Sequence, residues 1–223
     1  MNLAIIPARG GSKSIIQKNL AKVGNESLVA RSIICAQNAG VEHIFVSTDD
    51  FDIVDEVLKY GAIPIRRPEE ISGDFASSES AILHSLIEIK KILQIENANI
   101  LFLQATSPFT DSKDLTNVLK EIGNGISFFS AYNFHSFLWE ANEGTWNPLA
   151  HDKDVRLMKE ELGSVVVETG NFYCFELLDF LREKTRFCGT PKPFLIDPIR
   201  SLQIDSVEEL ISANKLANFF DVN

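Results

Sequence analysis

The chain has 223 residues and a formal net charge of −10, and this acidic balance disfavours a general nucleic-acid binder. Its 45% hydrophobic content is typical of a globular protein. No apolar run approaches the roughly 20 residues that cross a bilayer, and no charged leader precedes an apolar segment, so we expect no membrane partner and a cytoplasmic protein.

Apolar runs alternate with helical periodicities from residue 2 to about residue 130. Buried strands are predicted at 2–7, 43–50, 62–68, 98–108 and 125–134. Helices are predicted at 27–40, 51–61, 77–93 and 111–123, several of them behind a capping Ser or Asp. This alternation predicts an α/β fold, with a doubly wound, mostly parallel sheet and helices on both of its faces.

Residues 134–165 interrupt the alternation, and we interpret them as an insertion within a single domain that spans residues 1–223. Trp139 and Trp146 lie in this insertion, where they either form a subunit contact or pack locally. Beyond it, the sequence predicts a strand at 165–175, a helix at 177–184, a strand at 200–205 and a closing helix at 207–219.

The loops that follow the first four predicted strands are rich in glycine, serine, threonine and charged residues. They carry the segments PARGGSK, STDD, RRPEEISGDFASS and QATSPF. In doubly wound sheets, ligands bind beyond the carboxyl ends of the strands. The sequence therefore predicts a binding cleft at this edge of the sheet.

The first loop, PARGGSK, is neither a Walker A motif, because Lys13 follows a serine, nor a G-x-G-x-x-G dinucleotide fingerprint. Backbone N–H groups around Gly10 and Gly11 can approach phosphate oxygens without a side chain in the way. Arg9 can bind phosphate with two parallel hydrogen bonds, and Lys13 or Lys18 can add a mobile charge. The loop is therefore either a phosphate-binding loop or a structural turn.

Six segments in order resemble the CMP-sugar synthetases, the cytidylyltransferases that activate acylneuraminic (sialic) acid and related nine-carbon keto acids. They are IPARGGSKSIIQKNL, VSTDD, RRPEEISGDFASSESAILHSL, LQATSPF, VVVETGNFYCF and LQIDSVEEL. The resemblance implies a nucleotide-diphospho-sugar transferase-like fold and a homodimer that exchanges the insertion. It also implies transfer of CMP from CTP to the anomeric hydroxyl of a sugar acid, with Mg²⁺ or Mn²⁺ as cofactor.

The resemblance also assigns roles to residues, with Arg9 and Lys18 as the catalytic cations. It places the nucleotide on Ala8, Arg9, Gly10, Gly11, Ser12, Lys18, Asn19, Arg67, Ala76 and Ser78, with Asn19 at the ribose and Arg67, Ala76 and Ser78 at the cytosine base. It places the sugar acid on Gln104, Arg156, Thr169, Gly170 and Tyr173, and the metal on Asp205. Without the family, Asn19 is equally well a cap or an Asx-turn residue, Tyr173 a core aromatic and Arg156 a structural cation.

Several positions depart from the family pattern. Ser14 and Ile16 replace a usual Gly and Pro, and Ala105 and Thr110 replace a usual Pro and Arg. We therefore expect the first loop to close differently and the substrate to differ from ordinary sialic acid.

The segment before Asp205 departs as well, because Gln203 stands where the family commonly has a second aspartate. A neutral carbonyl binds Mg²⁺ less strongly than a carboxylate, so we expect weaker metal binding or an altered geometry. Asp49 and Asp50 are candidate substitutes, although helix capping accounts for them equally well.

Three functions remain open from the sequence. The first is a cytidylyltransferase for a nine-carbon ulosonic acid, and the second is the same reaction on an eight-carbon keto-sugar acid. The third is a nucleotide-binding dimer that has lost turnover, a hypothesis motivated by Gln203.

Overall fold

The computed structural model describes residues 1–73, 76–149, 151–155, 157–158 and 165–220. Strands and helices alternate along the first half of this chain. The strands are β1 Asn2–Pro7, β2 Lys22–Val23, β3 Glu26–Ser27, β4 His43–Thr48, β5 Ile63–Arg66, β6 Asn99–Leu103, β7 Ile126–Phe134, β8 Leu138–Asn142, β9 Thr145–Leu149, β10 Val165–Glu176 and β11 Thr190–Leu195. The α-helices are α1 Leu28–Asn38, α2 Phe51–Lys59, α3 Ser78–Leu93, α4 Ser112–Glu121, α5 Leu177–Glu183 and α6 Val207–Phe220.

The central sheet has seven strands in the order β11–β7–β10–β6–β1–β4–β5. Strands β6, β1, β4 and β5 are parallel, whereas β10 runs antiparallel to both of its neighbours and β11 runs parallel to β7. The chain moves outwards from β1 to β4 and β5 on one side, and then returns to β6 on the other side. This reversal creates the switch point at which α/β sheets bind ligands, and it confirms the predicted fold class.

Alternate residues of β1 face two different hydrophobic layers. Leu3 and Ile5 belong to a core that includes buried side chains of α3 and α5. Ala4 and Ile6 belong to a core that includes buried side chains of α1, α2, α4 and α6. The sheet therefore has helices on both faces, as predicted. None of the described helices is long and apolar enough to cross a bilayer.

The strand predicted at 200–205 is wrong, because a 3₁₀ helix occupies Pro198–Ser201 and a bend follows it. Asp197 caps this short helix by accepting a hydrogen bond from the N–H of Ile199 at 3.1 Å. The edge strand is instead β11, which the sequence does not predict because it contains Pro191 and Pro193. Prolines are compatible with an edge strand, where a missing N–H leaves no ladder bond unmade.

Residues 138–149 of the insertion form a two-stranded antiparallel hairpin, in which β8 pairs with β9 and Trp139 lies opposite Pro148. Nearly every residue of the two strands is exposed. Trp146 is 68% exposed and Trp139 is 47% exposed, with the Trp139 ring 5.3 Å from the ring of His151. The hairpin therefore presents both tryptophans at the surface of the chain.

Candidate active site

The loop that follows β1 is shaped by hydrogen bonds from neighbouring loops. The N–H of Gly10 donates to Oδ1 of Asp49 at 2.9 Å, and the amide of Asn19 donates to the carbonyl of Arg9 at 2.8 Å. Within the loop, the N–H of Ser12 donates to the carbonyl of Gly10 at 2.9 Å. Asn19 is buried, and its side chain holds the loop from the side of the protein interior. This contact gives Asn19 a structural role in addition to its predicted ribose contact.

Gly10 lies directly against the beginning of α2. A Cβ at this position would lie 2.7 Å from the Cβ of Asp50, much closer than side-chain atoms approach one another. Asp50 is the N-cap of α2 and accepts hydrogen bonds from the N–H groups of Asp52 and Ile53. At Gly11, by contrast, an added Cβ would meet no atom within 4 Å. The capping interpretation of Asp50 is confirmed, and steric contact requires glycine only at the first position.

Lys18 and Asp205, which the resemblance assigns to catalysis and to metal binding, meet in space. The Lys18 Nζ lies 2.9 Å from Asp205 Oδ1 although 187 positions separate the two residues. The Lys18 side chain is 15% exposed, whereas that of Asp205 is 66% exposed. The pair therefore places a cation and an accessible carboxylate side by side.

A capping box fixes Asp205 at the start of α6. Oε2 of Glu209 accepts hydrogen bonds from the N–H groups of Asp205 at 2.7 Å and Ser206 at 2.8 Å. In return, Ser206 Oγ accepts from the N–H of Glu209 at 3.2 Å. The N–H of Ile204 donates to the carbonyl of Thr106, which ties the segment to the loop after β6. These bonds satisfy donors at the helix end and orient the Asp205 backbone.

Arg67 is buried beside the first loop. Its Nε donates to Ser47 Oγ at 3.0 Å, and its Nη2 donates to the Ser47 carbonyl at 2.8 Å. Burial lowers the pKa of Arg67, the Asp49 carboxylate opposes this shift, and the charge of Arg9 adds to it. Arg67 therefore lies within electrostatic range of both Arg9 and Asp49.

The loop before α3 carries the other predicted base contacts. Ser77 caps the helix by accepting a hydrogen bond from the N–H of Ser80 at 3.1 Å, and Ser78 is exposed in the first turn. The N–H of Ala76 donates to the carbonyl of Gly73 at 3.1 Å. Ala76 and Ser78 therefore flank a capped helix N-terminus, where backbone N–H groups lack helical partners.

A cavity of about 410 Å³ opens beside the carboxyl end of β6. The predicted sugar-acid residues Gln104, Thr169, Gly170 and Tyr173 all line it, so the structure brings these four together. Arg156 lies outside the described residues. Residues that the sequence analysis did not assign to the site complete the lining: Tyr132, Val167, Glu168, Ser201 and Gln203.

The cavity exists because β10 departs from regular pairing with β7 between Glu168 and Tyr173. Ser130 Oγ supports the irregular segment by accepting hydrogen bonds from Thr169 Oγ1 at 2.8 Å and from the Phe172 N–H at 3.0 Å. Gly170 has a φ of +70°, which disfavours any residue with a Cβ. A Cβ there would also lie 3.0 Å from Gln104 Oε1 and would overlap the Gln203 amide.

Gln203 and Tyr173 each make a specific hydrogen bond in the cavity wall. The Gln203 amide donates to the carbonyl of Thr169, which joins the segment before Asp205 to β10. The Tyr173 hydroxyl donates to the carboxylate of Glu168. Burial and this hydrogen bond both raise the pKa of Tyr173, so its phenol keeps its proton. Tyr173 is thus both a buried aromatic residue and part of the cavity.

A larger cavity of about 670 Å³ lies between α1, α4 and the end of α6, and none of the predicted site residues lines it. Its guanidinium groups bind main-chain carbonyls: Arg31 Nε donates to Pro108 at 2.9 Å and Arg200 Nη1 to Phe109 at 3.2 Å. These cations are used to hold the loop after β6. The functional assignment therefore stays with the edge of the sheet next to β1.

In a comparison with known protein families, residues 3–137 match the family described as Cytidylyltransferase. The chain belongs to this family. This cytidylyltransferase is 32% identical over 219 residues to a pseudaminic acid cytidylyltransferase of Campylobacter jejuni subsp. jejuni, with 94% of this chain and 93% of that protein covered. These matches confirm the resemblance that the six motifs carry.

Two further comparisons extend over nearly the whole chain. A CMP-N,N'-diacetyllegionaminic acid synthase of Legionella pneumophila subsp. pneumophila is 28% identical over 225 residues, with 96% of this chain and 95% of that protein covered. A solved CMP:2-keto-3-deoxy-manno-octonic acid synthetase, complexed with CTP, superposes with a TM-score of 0.70 at 16% identity and covers 98% of both chains. The second comparison supports the fold.

The two loop glycines allow a matched test of the first loop. We expect Gly10→Ala to lower the free energy of unfolding by about 1–3 kcal/mol, because its methyl group must displace Asp50 or the loop. Gly11→Ala, which meets open space, should change it by less than about 0.5 kcal/mol. Denaturant unfolding of both variants measures the difference, and equal effects would contradict the close contact at Gly10.

Proposed function

We propose that this cytidylyltransferase transfers CMP from CTP to the anomeric hydroxyl of a nine-carbon ulosonic acid of the pseudaminic or sialic type. The observation that carries the proposal is the contact between Lys18 and Asp205, whose charged groups lie 2.9 Å apart. Lys18 begins the short 3₁₀ helix after the first loop, and Asp205 follows the segment that lines the polar cavity. Triphosphate at the first loop and sugar acid in the cavity would then meet at this pair. The pseudaminic acid cytidylyltransferase relative, at 32% identity, supports the nine-carbon substrate.

The proposed step forms one bond and breaks one bond. The anomeric oxygen of the sugar attacks the α-phosphorus of CTP, the bond from that phosphorus to the bridging oxygen breaks, and pyrophosphate leaves. The hydroxyl proton passes to solvent. Negative charge accumulates on the leaving pyrophosphate, so Arg9 and Lys18 would act by electrostatic stabilisation. Ala8, Gly10, Gly11 and Ser12 would shape the loop around the phosphates.

We propose Mg²⁺, or Mn²⁺ in its place, as the cofactor, with Asp205 as its protein ligand. The residues present fit this ion, because Mg²⁺ prefers one or two carboxylates together with phosphate oxygens and water. Asp205 offers an exposed carboxylate beside Lys18, the cation that we propose binds the triphosphate. When bound, the metal would neutralise charge on the phosphates. The Gln203 amide is already bonded to Thr169, so Asp205 would be the ligand from this segment.

The remaining predicted residues divide between the two substrates. Asn19, Arg67, Ala76 and Ser78 would surround the nucleoside, and buried Arg67 would act mainly by fixing the loop after β4. Gln104, Thr169, Gly170 and Tyr173 would contact the sugar acid in the cavity, whose walls are rich in hydroxyl, amide and carboxylate groups. Such groups suit a polyhydroxylated substrate with amide substituents.

The activity test is pyrophosphate release from each nucleoside triphosphate with a panel of eight- and nine-carbon sugar acids. We expect turnover with CTP and a nine-carbon acid. Preference for an eight-carbon acid would favour the second hypothesis. CTP binding without turnover on any acid would favour the nucleotide-binding dimer.

Lys18 provides a residue-level test with a control nearby in the chain. Lys18→Met should reduce kcat by about 100-fold or more if the ammonium stabilises the leaving group. Lys22→Met removes an equal charge from an exposed residue of β2 and should leave kcat within about twofold. Steady-state kinetics measures kcat for the two variants. Similar kcat values would show that Lys18 does not stabilise the leaving group.

The metal assignment predicts a change in cation requirement. Asp205→Asn should raise the Mg²⁺ concentration for half-maximal rate by about tenfold or more, because a neutral amide replaces the carboxylate ligand. Asp154→Asn, at an exposed position in the segment after the hairpin, serves as the charge-matched control. Titration of the rate with MgCl₂ and MnCl₂ measures the effect. An unchanged cation concentration for half-maximal rate in Asp205→Asn would exclude Asp205 as the metal ligand.

We propose a homodimer in which the β8–β9 hairpin contacts the partner. Its exposed tryptophans form an apolar surface of the kind that subunit interfaces cover. The double variant Trp139→Ser with Trp146→Ser should therefore convert a dimer to a monomer in light-scattering chromatography. Leu58→Ser, an exposed apolar residue on α2, is the control and should leave the mass unchanged. A monomeric wild-type protein would overturn the proposal.

A further inference from the structure

Arg186 is a buried cation that has no place in the proposed reaction. It follows α5, and only 8% of its surface is exposed. Its Nε donates to Oε1 of Glu79 at 2.7 Å. The guanidinium carbon lies 4.9 Å from the centre of the Phe102 ring and 4.6 Å from the centre of the Tyr173 ring. Arg186 therefore packs against two neighbouring aromatic rings and pairs with one carboxylate.

The Arg186–Glu79 contact is an ionised pair. Burial alone would raise the pKa of Glu79, but the hydrogen bond and charge of Arg186 outweigh burial and hold that pKa below its ordinary value. A buried guanidinium needs such a partner, because its charge is poorly solvated away from water. Each member of the pair therefore fixes the position of the other.

Glu79 and Arg186 each lie next to one of the two proposed substrate sites. Glu79 directly follows Ser78 in the first turn of α3, where the predicted base contacts lie. On the other side, Arg186 packs on Tyr173, whose hydroxyl donates to Glu168 in the cavity. A continuous chain of contacts thus joins Glu79, Arg186, Tyr173 and Glu168.

We propose that Arg186 is a positioning residue that couples the nucleotide loop before α3 to the sugar-acid cavity. It holds the Tyr173 ring so that the Glu168 carboxylate stays in the cavity wall, where it accepts an O–H or N–H of the sugar acid. Through Glu79, it also fixes the start of α3 against the nucleoside. This inference rests on the proposed function for the identity of the two ligands.

The chemistry of the position requires arginine rather than lysine. A planar guanidinium stacks on aromatic rings and still donates from Nε within its plane. A lysine ammonium keeps the charge, but it cannot stack on both rings and bind Glu79 in the same geometry. Arg186→Lys should therefore restore part of what Arg186→Met loses, which distinguishes positioning from charge alone.

The test uses the double variant Glu79→Gln with Arg186→Met and four single variants of the full chain: Arg186→Met, Arg186→Lys, Glu79→Gln and Arg182→Lys. The last is the control, because Arg182 makes an ion pair with Asp179 at the exposed surface of α5. The readouts are the Kd of CTP from calorimetry without sugar acid, and the KM and kcat for the sugar acid. All are measured below the melting temperature of each variant.

We expect Arg186→Met to raise the sugar-acid KM by about tenfold and the CTP Kd severalfold, with a smaller change in kcat. Glu79→Gln should shift both constants in the same direction, and Arg186→Lys should fall between wild type and Arg186→Met. The double variant Glu79→Gln with Arg186→Met should resemble Arg186→Met rather than the sum of the two, because the residues act as a unit. Arg182→Lys should match wild type.

The coupling is wrong if a folded Arg186 variant has a lower melting temperature but unchanged Kd and KM, since the ion pair would then be only structural. It is also wrong if only one of the two ligands is affected. Should Arg186→Met fail to fold, Arg186→Lys and Glu79→Gln decide the question. If the wild-type protein binds CTP but turns over no sugar acid, the proposed function fails. In that case the CTP Kd of the variants still tests the link to the nucleotide loop.

Discussion

The ion pair between Lys18 and Asp205 is the contact on which the candidate site depends. It joins the 3₁₀ helix Lys18–Leu20, which follows the first loop, to the segment before the last helix. A cation at the first loop can bind a polyanion, and a carboxylate beside it can hold a divalent ion once phosphate is present. The capping box at α6 fixes the Asp205 backbone, and the close approach of Gly10 to Asp50 packs the first loop against the start of α2.

The parts of the fold that a local pattern encodes are predicted from the sequence. Strand β1, its parallel neighbours and α1 to α4 have clear apolar periods and capping residues, so the doubly wound sheet follows from them. The pattern fails for β11, which contains two prolines. The N–H of Thr190 donates to Gly125 just before β7, and the N–H of Ile196, just after β11, donates to Ala131 of β7. The pattern also fails at 200–205, because Pro198 begins a 3₁₀ helix. In both places a tertiary contact or a proline overrides local propensity.

The candidate site divides in the same way. Arg9, Lys18 and Asp205 belong to motifs that can be recognised, and the structure brings Lys18 and Asp205 together. Glu168 directly precedes Thr169 in the VVVETGNFYCF segment, so the sequence could have predicted that Glu168 also lines the cavity. Arg186 gives no local signal, because its partners Glu79 and Phe102 are contributed by distant elements that meet only after folding.

Gln203 shows how one substitution changes the chemistry of a position. The resemblance expects an aspartate there, and a carboxylate facing the Thr169 carbonyl would set two acceptors against each other without a proton between them. The Gln203 amide instead donates to that carbonyl. The segment therefore gains a hydrogen bond that holds the cavity wall, and Asp205 remains its exposed carboxylate for a cation. At this residue, the departure from the expected aspartate thus gives the side chain a structural contact in the cavity wall.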